Sequence, residues 1–270
     1  MIRGDFHTHT VFCDGHDTAE TMVREALRLG MTHLGFSGHM DQDIHMELPA
    51  YTAEIRRLQA LYRDQLDILL GIELDVLYDT ACTEGLDYWI GSTHYIGSDL
   101  THARGVDCSP EQSLAICEED FHGDWYRMCR AYYELEATVY DRTGCTWVGH
   151  FDLISRFNDT MQAFDETDPR YLGPAAEAME YLCAQQVPFE INLGAFNRGK
   201  KELYPRMELL RLLHDLGGRI VLSTDAHNAA NLMRGMDTAR EHALACGFRE
   251  VWYPSHGRDG RVELCACPLD

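Results

Sequence analysis

The chain has 270 residues, 45% of them apolar, enough to bury a full core as one α/β barrel or as two small domains. It carries 44 acidic against 23 basic residues and a formal net charge of −21, a surface that would repel nucleic-acid phosphates. A small anionic substrate is compatible with that charge, because a few local cations outweigh a distant net excess. No stretch approaches 18 apolar residues and the opening MIRGDFHTH has no apolar run, so neither a membrane span nor an export signal is expected. Ten scattered cysteines, none in Cys-x-x-Cys, then read as reduced thiols of a cytoplasmic protein.

In chain order, Ile2–Phe6 predicts a first strand, and Thr18 N-caps a helix that Gly30 stops. Strands follow at His33–Ser37, Ile68–Leu74 and Tyr88–Thr93, with long loops expected at the mouth over Asp75–Asp87 and Gly97–Ser109. Pro110 opens a helical tract running towards Gly144, and Thr146–His150 is the next strand. Helix Leu172–Gln185, strand Pro188–Ile191, helix Pro205–Leu216, strand Arg219–Ser223, helix Ala229–Cys246 and strand Phe248–Tyr253 complete the alternation. Repeated βα units imply a parallel sheet with helices outside it. Seven or eight units in one chain favour a single barrel domain over residues 1–270, closed or slightly distorted, ahead of an open doubly wound sheet.

The chemistry-bearing residues fall at one place in each unit. His7 and His9 follow the first strand, and His39 follows the second in Gly35-Phe-Ser-Gly-His39. Glu73 ends the third strand, His94 the fourth and His150 the fifth, while Asp225 and His227 follow the seventh. A parallel barrel gathers its C-terminal strand ends at one face, so six segments deliver imidazoles and carboxylates to one mouth. A single histidine at a strand end is most often only a hydrogen-bonding residue. Repetition in six units points instead to metal ligation, with Zn, Mn or Fe all compatible with such donors. Other histidines lack that placement: His33, His122, His214 and His242 read as structural or solvated, and His45, His102 and His256 as loop residues. His16 lies close enough to the first cluster to compete with Asp14.

Absences narrow the chemistry. The only lysines, Lys200 and Lys201, do not follow the third or fourth strand, so neither can be a carboxylated metal bridge there, and Glu73 is the natural bridging group. No cysteine is followed six positions later by arginine, Asp41-Gln-Asp43 lacks the setting of a phosphoaspartyl loop, and there is neither a phosphate-binding loop nor Gly-x-Gly-x-x-Gly.

Assembled, these segments resemble the polymerase and histidinol phosphatase (PHP) family over nearly the whole chain. The residues that carry the resemblance are Asp5-Phe-His7-Thr-His9-Thr, Phe12-Cys-Asp14-Gly15, Gly35-Phe-Ser-Gly-His39, Gly-Ile-Glu73, Ser-Thr-His94-Tyr-Ile, Gly-His150-Phe-Asp152 and Ser-Thr-Asp225-Ala-His227. The stand-alone histidinol-phosphatase branch is the most similar, with Arg156 and Arg198 placed after strands five and six where guanidinium forks would meet a phosphate. The resemblance implies a distorted TIM-like (β/α)7 barrel holding two to three divalent metals. His7, His9, Glu73 and Asp225 would hold the first, Glu73, His94 and His150 the second, and Asp14, His39 and His227 the third. It further implies a cytoplasmic enzyme of histidine biosynthesis acting on a small phosphorylated substrate, L-histidinol phosphate, with Glu73, Asp225 and His227 catalytic. Two alternatives stand beside it: a family phosphoesterase for nucleotides or phosphotyrosine, and a non-catalytic metal-binding relative.

Overall fold

The computed structural model describes residues 3–269. Eleven strands occur among them: β1 Gly4–Asp5, β2 His33–Met40, β3 Asp67–Asp75, β4 Tyr88–Ser92, β5 Tyr95–Ile96, β6 Arg104–Gly105, β7 Trp147–Val148, β8 Phe189–Asn192, β9 Ile220–Ser223, β10 Glu250–His256 and β11 Val262–Pro268. Seven form one parallel sheet in the order β1-β2-β3-β4-β7-β8-β9. The sheet closes through a parallel bridge between Thr8 and Ala226, where His9 N donates to Ala226 O at 2.8 Å and Ala226 N donates to His7 O at 3.1 Å. The fold is thus the distorted seven-stranded barrel expected. Of the first strand expected at Ile2–Phe6, Ile2 lies outside the described residues.

Small residues make room for the barrel's filling. Tyr88 lies inside, donating its hydroxyl to the carbonyls of Phe6 at 2.8 Å and Phe36 at 3.0 Å. A side chain at Gly71 would meet its ring at 2.5 Å, and one at Gly35 would meet its hydroxyl. Trp147 stacks on the other face of this layer, 4.9 Å from Tyr88 between centroids. The barrel is a packed core below and an open mouth above.

The eighth strand expected, Phe248–Tyr253, does form, as β10, but outside the barrel. It pairs antiparallel with β11, which the sequence reading missed, because the Thr8–Ala226 closure leaves no free edge. Trp252, Tyr253, Val262 and Leu264 of this hairpin pack against Phe6, Leu69 and Val221.

Helix boundaries differ where single residues intervene. Thr18 caps the helix Ala19–Arg28, accepting from Thr21 N, and Gly30 follows at φ +68°. Helix Leu48–Tyr62 was not expected: it buries only Tyr51, Ile55 and Leu58, a thin apolar stripe, and no side chain caps its start. The tract from Pro110 breaks into Pro110–Phe121, Trp125–Glu136 and Val139–Thr143. The first break falls at His122 and Gly123, both with positive φ, after which Asp124 caps the second helix. Likewise Ala229–Cys246 divides into a short turn, Ala229–Asn231, and the helix Met236–Cys246, with Gly235 at φ +81° between them. The segment 76–87, expected at the mouth, is the crossover between the adjacent parallel strands β3 and β4, so it must return to their opposite end. Segment 97–109 is at the mouth, where β5 and β6 form a small ribbon. No helix among the described residues is long and apolar enough to cross a membrane.

Candidate metal centre and active-site cavity

Strand register brings the metal-type residues together. His39 and Glu73 are direct neighbours across β2 and β3. His94, His150 and Asp225 each come two residues after the end of a strand: β4, β7 and β9. His7 and His9 alternate along one extended segment, so both rings point to the same side.

Glu73 sits at the centre, 1% exposed, and its two oxygens face different partners. Oε2 lies 3.1 Å from His7 Nε2 and 3.5 Å from His9 Nε2, and Asp225 Oδ1 lies 3.2 Å from the same His9 nitrogen. Oε1 lies 2.8 Å from His150 Nε2 and 3.2 Å from His94 Nε2. A third group joins His9, Asp14, His39 and His227, with Asp14 Oδ2 3.1 Å from His227 Nε2 and Asp14 Oδ1 3.7 Å from His39 Nε2. Ligand atoms about 2.0–2.2 Å from one tetrahedral cation are separated by about 3.3–3.6 Å, so these spacings suit shared metals. Buried donor atoms agree, since His7 Nε2, His9 Nε2 and Asp14 Oδ1 have no hydrogen-bond partner among the described residues. All nine residues expected as ligands converge here. His16 is exposed and joins no such group among the described residues; Asp14 takes that place.

The electrostatics fit a cation-hungry site. Burial would push the Glu73 carboxyl up, but His7, His39 and His94 together with the His150 hydrogen bond hold it well below the ordinary value. Asp225 is likewise depressed against its burial, by His7, the contact with His9, His227 and Arg198. His9, despite burial, is raised to about 10, chiefly by Asp225, Cys13 and Asp14, whereas burial lowers His39 to about 4 against the pull of Glu73. Without metal the ionised carboxylates are balanced by protons carried on selected imidazoles, His9 among them; divalent cations would take over that balance. Backbone strain accompanies the arrangement. Asp225 adopts φ +52°, unusual for a residue with a side chain, and Gly194 beside it has no room for a Cβ, which would lie 2.9 Å from Asp225 Cβ and against its carboxylate.

Above the centre lies a cavity of about 220 Å³ whose lining includes Arg156, Arg198, Asp41, Asp43, Tyr95 and Asp107. Arg156 donates to Asp107 Oδ2 at 2.8 Å, and Arg198 lies 3.8 Å from Asp225 Oδ2. Sequence reasoning missed the residues that support the ligands. Glu190, fully buried in β8, lies 2.7 Å from His7 Nδ1 through Oε1, while its Oε2 accepts from the backbone N of His150 at 3.0 Å. Asp75 similarly accepts from His94 N at 2.9 Å. The Glu190 contact fixes the ring orientation and tautomer of His7, and the two backbone bonds hold the main chain at His150 and His94. Glu190 carried a signal, a carboxylate inside an apolar strand, whereas Asp75 falls at the start of the segment expected to be a loop. Asp41 was also missed, although it groups with His39 and His94.

A family model of the PHP domain matches residues 5–192. The histidinol-phosphatase of Lactococcus lactis is 27% identical, the match covering 93% of this chain and 94% of that protein. A Deinococcus radiodurans protein named probable histidinol-phosphatase is 30% identical over 88% of this chain and 91% of its own. Among solved structures, the Lactococcus lactis histidinol phosphate phosphatase complexed with zinc, L-histidinol and phosphate superposes with a TM-score of 0.74. It is 24% identical, with 97% of this chain and 98% of that one covered, a likeness that concerns the fold. Family match, barrel and clustered ligands agree, and the chain belongs to the PHP domain family.

Proposed function

We propose that this protein is a metal-dependent phosphomonoesterase that hydrolyses L-histidinol phosphate to L-histidinol and phosphate, in histidine biosynthesis. The observation that carries the reading is the split of Glu73, one oxygen toward His7 and His9 and the other toward His94 and His150, beneath a cavity walled by two arginines. The names of the relatives support the substrate. So does the acidic lining: Asp41 and Asp43 bring carboxylates to the cavity, and histidinol phosphate carries an amine to meet them.

His7, His9, Glu73 and Asp225 would hold one metal, Glu73, His94 and His150 a second, and Asp14, His39 and His227 a third; zinc, manganese and iron all suit these donors. Bound there, the metals supply Lewis-acid polarisation of water and of the phosphoryl oxygens. Arg156 and Arg198 hold the phosphoryl group from above and meet the charge that grows on its oxygens. Asp225 and His227, with Oδ1 and Nδ1 3.5 Å apart, both line the cavity, where they would orient the attacking water and the phosphoryl group. Glu190 keeps the His7 imidazole aimed, and Asp75 holds the His94 backbone. The ten cysteines, all unpaired thiols, fit a reducing cytoplasm.

The test is phosphate release by metal-replete protein from L-histidinol phosphate, nucleoside monophosphates and phosphotyrosine. The reading expects the highest kcat/KM with histidinol phosphate. Preference for either of the others would move the protein to a different phosphoesterase activity.

A further inference from the structure

Of the two lysines, Lys201 is exposed, but Lys200 is only 9% exposed and lies two residues after Arg198. Its Nζ donates to the carbonyl oxygen of Ser155 at 2.8 Å and to Ser155 Oγ at 2.7 Å. Ser155 is fully buried and immediately precedes Arg156, and its own hydroxyl donates to Asp152 O at 2.8 Å. The ammonium also lies 4.9 Å from the ring centroid of Tyr204, which lines the active-site cavity. One side chain therefore ties the loop of Arg198 to the loop of Arg156.

Burying an ammonium is costly, and a neutral side chain of similar length would fill the same space. Burial indeed lowers the Lys200 pKa from its ordinary value, with Asp152, Glu166 and Asp159 opposing that fall. What the charge adds is a directed pair of hydrogen bonds. It matters because each guanidinium has a competing carboxylate, Asp107 for Arg156 and Asp225 for Arg198. Other bonds already hold the loops near their places: Lys200 N donates to Ala195 O, and Lys201 N to Asp159 Oδ2. Removing the ammonium should then shift the loops slightly rather than release them.

We propose that Lys200 is a positioning residue: it fixes the separation of the Arg156 and Arg198 guanidinium groups so that both meet one tetrahedral phosphoryl group. This rests on the reading that the two arginines bind phosphate. Misplacement by a fraction of an ångström to an ångström is enough to weaken such a clamp.

The experiment is a double-mutant cycle of Lys200→Met and Arg156→Ala, read by calorimetric binding of inorganic phosphate to metal-replete protein and by kcat/KM for histidinol phosphate. Lys200→Met should weaken phosphate binding about tenfold and lower kcat/KM about 10-fold to 100-fold, with metal content per chain unchanged. In the Arg156→Ala background the same change should cost less than about twofold, since coupled residues are non-additive. Unchanged phosphate affinity in Lys200→Met, or the full loss repeated in the Arg156→Ala background, overturns the proposal. If Lys200→Met does not fold, Ser155→Ala, which removes one of the two acceptors, decides by the same cycle, with a coupled loss expected and none or an additive one overturning it. Wild-type protein that binds no phosphate would sink the clamp reading itself; wild type that binds while Lys200→Met matches it sinks only the role of Lys200.

Discussion

Glu73 carries more of the chemistry than any other residue, and two substitutions separate its role from that of the arginines. Glu73→Gln keeps the side chain's size and its contact with the Ser92 hydroxyl but removes the charge two imidazole clusters share. The expected outcome is loss of metal and of turnover in a protein that stays folded, checked by metal content per chain, circular dichroism and phosphate release. Near-normal turnover at saturating metal would show that another group does the bridging. Arg156→Ala and Arg198→Ala should instead leave metal content intact, because a guanidinium does not ligate a cation. Each should raise the barrier for histidinol phosphate hydrolysis by about 2–4 kcal/mol, the loss typical of one preorganised donor. Arg→Lys should recover only part, keeping the charge without the fork. Unchanged kcat/KM in both alanine variants would remove the arginines from the mechanism.

Among the elements, the strand ends and the turns that follow them carry the site, and there small steric facts decide. Gly194→Ala would drive a methyl group against Asp225, whose backbone is already strained, so metal content and kcat/KM should fall at least about tenfold while the fold persists. Equal metal content in this variant would mean that Asp225 can move without consequence. The β10–β11 hairpin should behave in the opposite way. Tyr253 stacks near Phe6 at 6.4 Å, and Arg219 lies 4.5 Å over Trp252. Trp252→Ala should lower stability by about 1–3 kcal/mol in urea unfolding yet leave kcat near the wild-type value, since the hairpin packs at the end opposite the mouth. These elements also mark how far the sequence could be read. His7, His9, His39, His94, His150 and Asp225 were legible because strand ends place a recurring residue type in register. Glu190 showed only as a carboxylate within a strand and Asp75 not at all, because what assigns their role is a partner distant in the chain. The hairpin was half legible: β10 has strand composition, but nothing local says that the barrel closes without it. Helix Leu48–Tyr62 escaped because three buried residues make a weak stripe.

For the whole molecule, the net charge of −21 and a buried acid behind the site make stability depend on pH. Glu136 is fully buried, and burial pushes its carboxyl up to about 8, with Thr93 and His94 opposing and Asp75 and Asp152 adding. A folded-state pKa raised above the unfolded value near 4.5 means that the folded protein binds this proton more tightly. Its contribution is therefore fully present below about pH 4.5 and is lost as pH rises through about 8. Glu136→Gln should flatten that decline and gain on the order of 2–5 kcal/mol relative to wild type between pH 5 and pH 9, measured by urea unfolding of chelated protein. An identical pH dependence in both proteins would show that Glu136 is ionised or solvated in the folded state. The central claim, that two or three metals gathered around Glu73 make this barrel a phosphatase, is tested most directly by titration. Protein stripped with a chelator is given increasing divalent metal while phosphate release from L-histidinol phosphate is followed against bound metal per chain. Activity should be absent at zero metal and should rise to a plateau between two and three bound ions. Full activity in metal-free protein, or a fully loaded protein that releases no phosphate, would contradict the account.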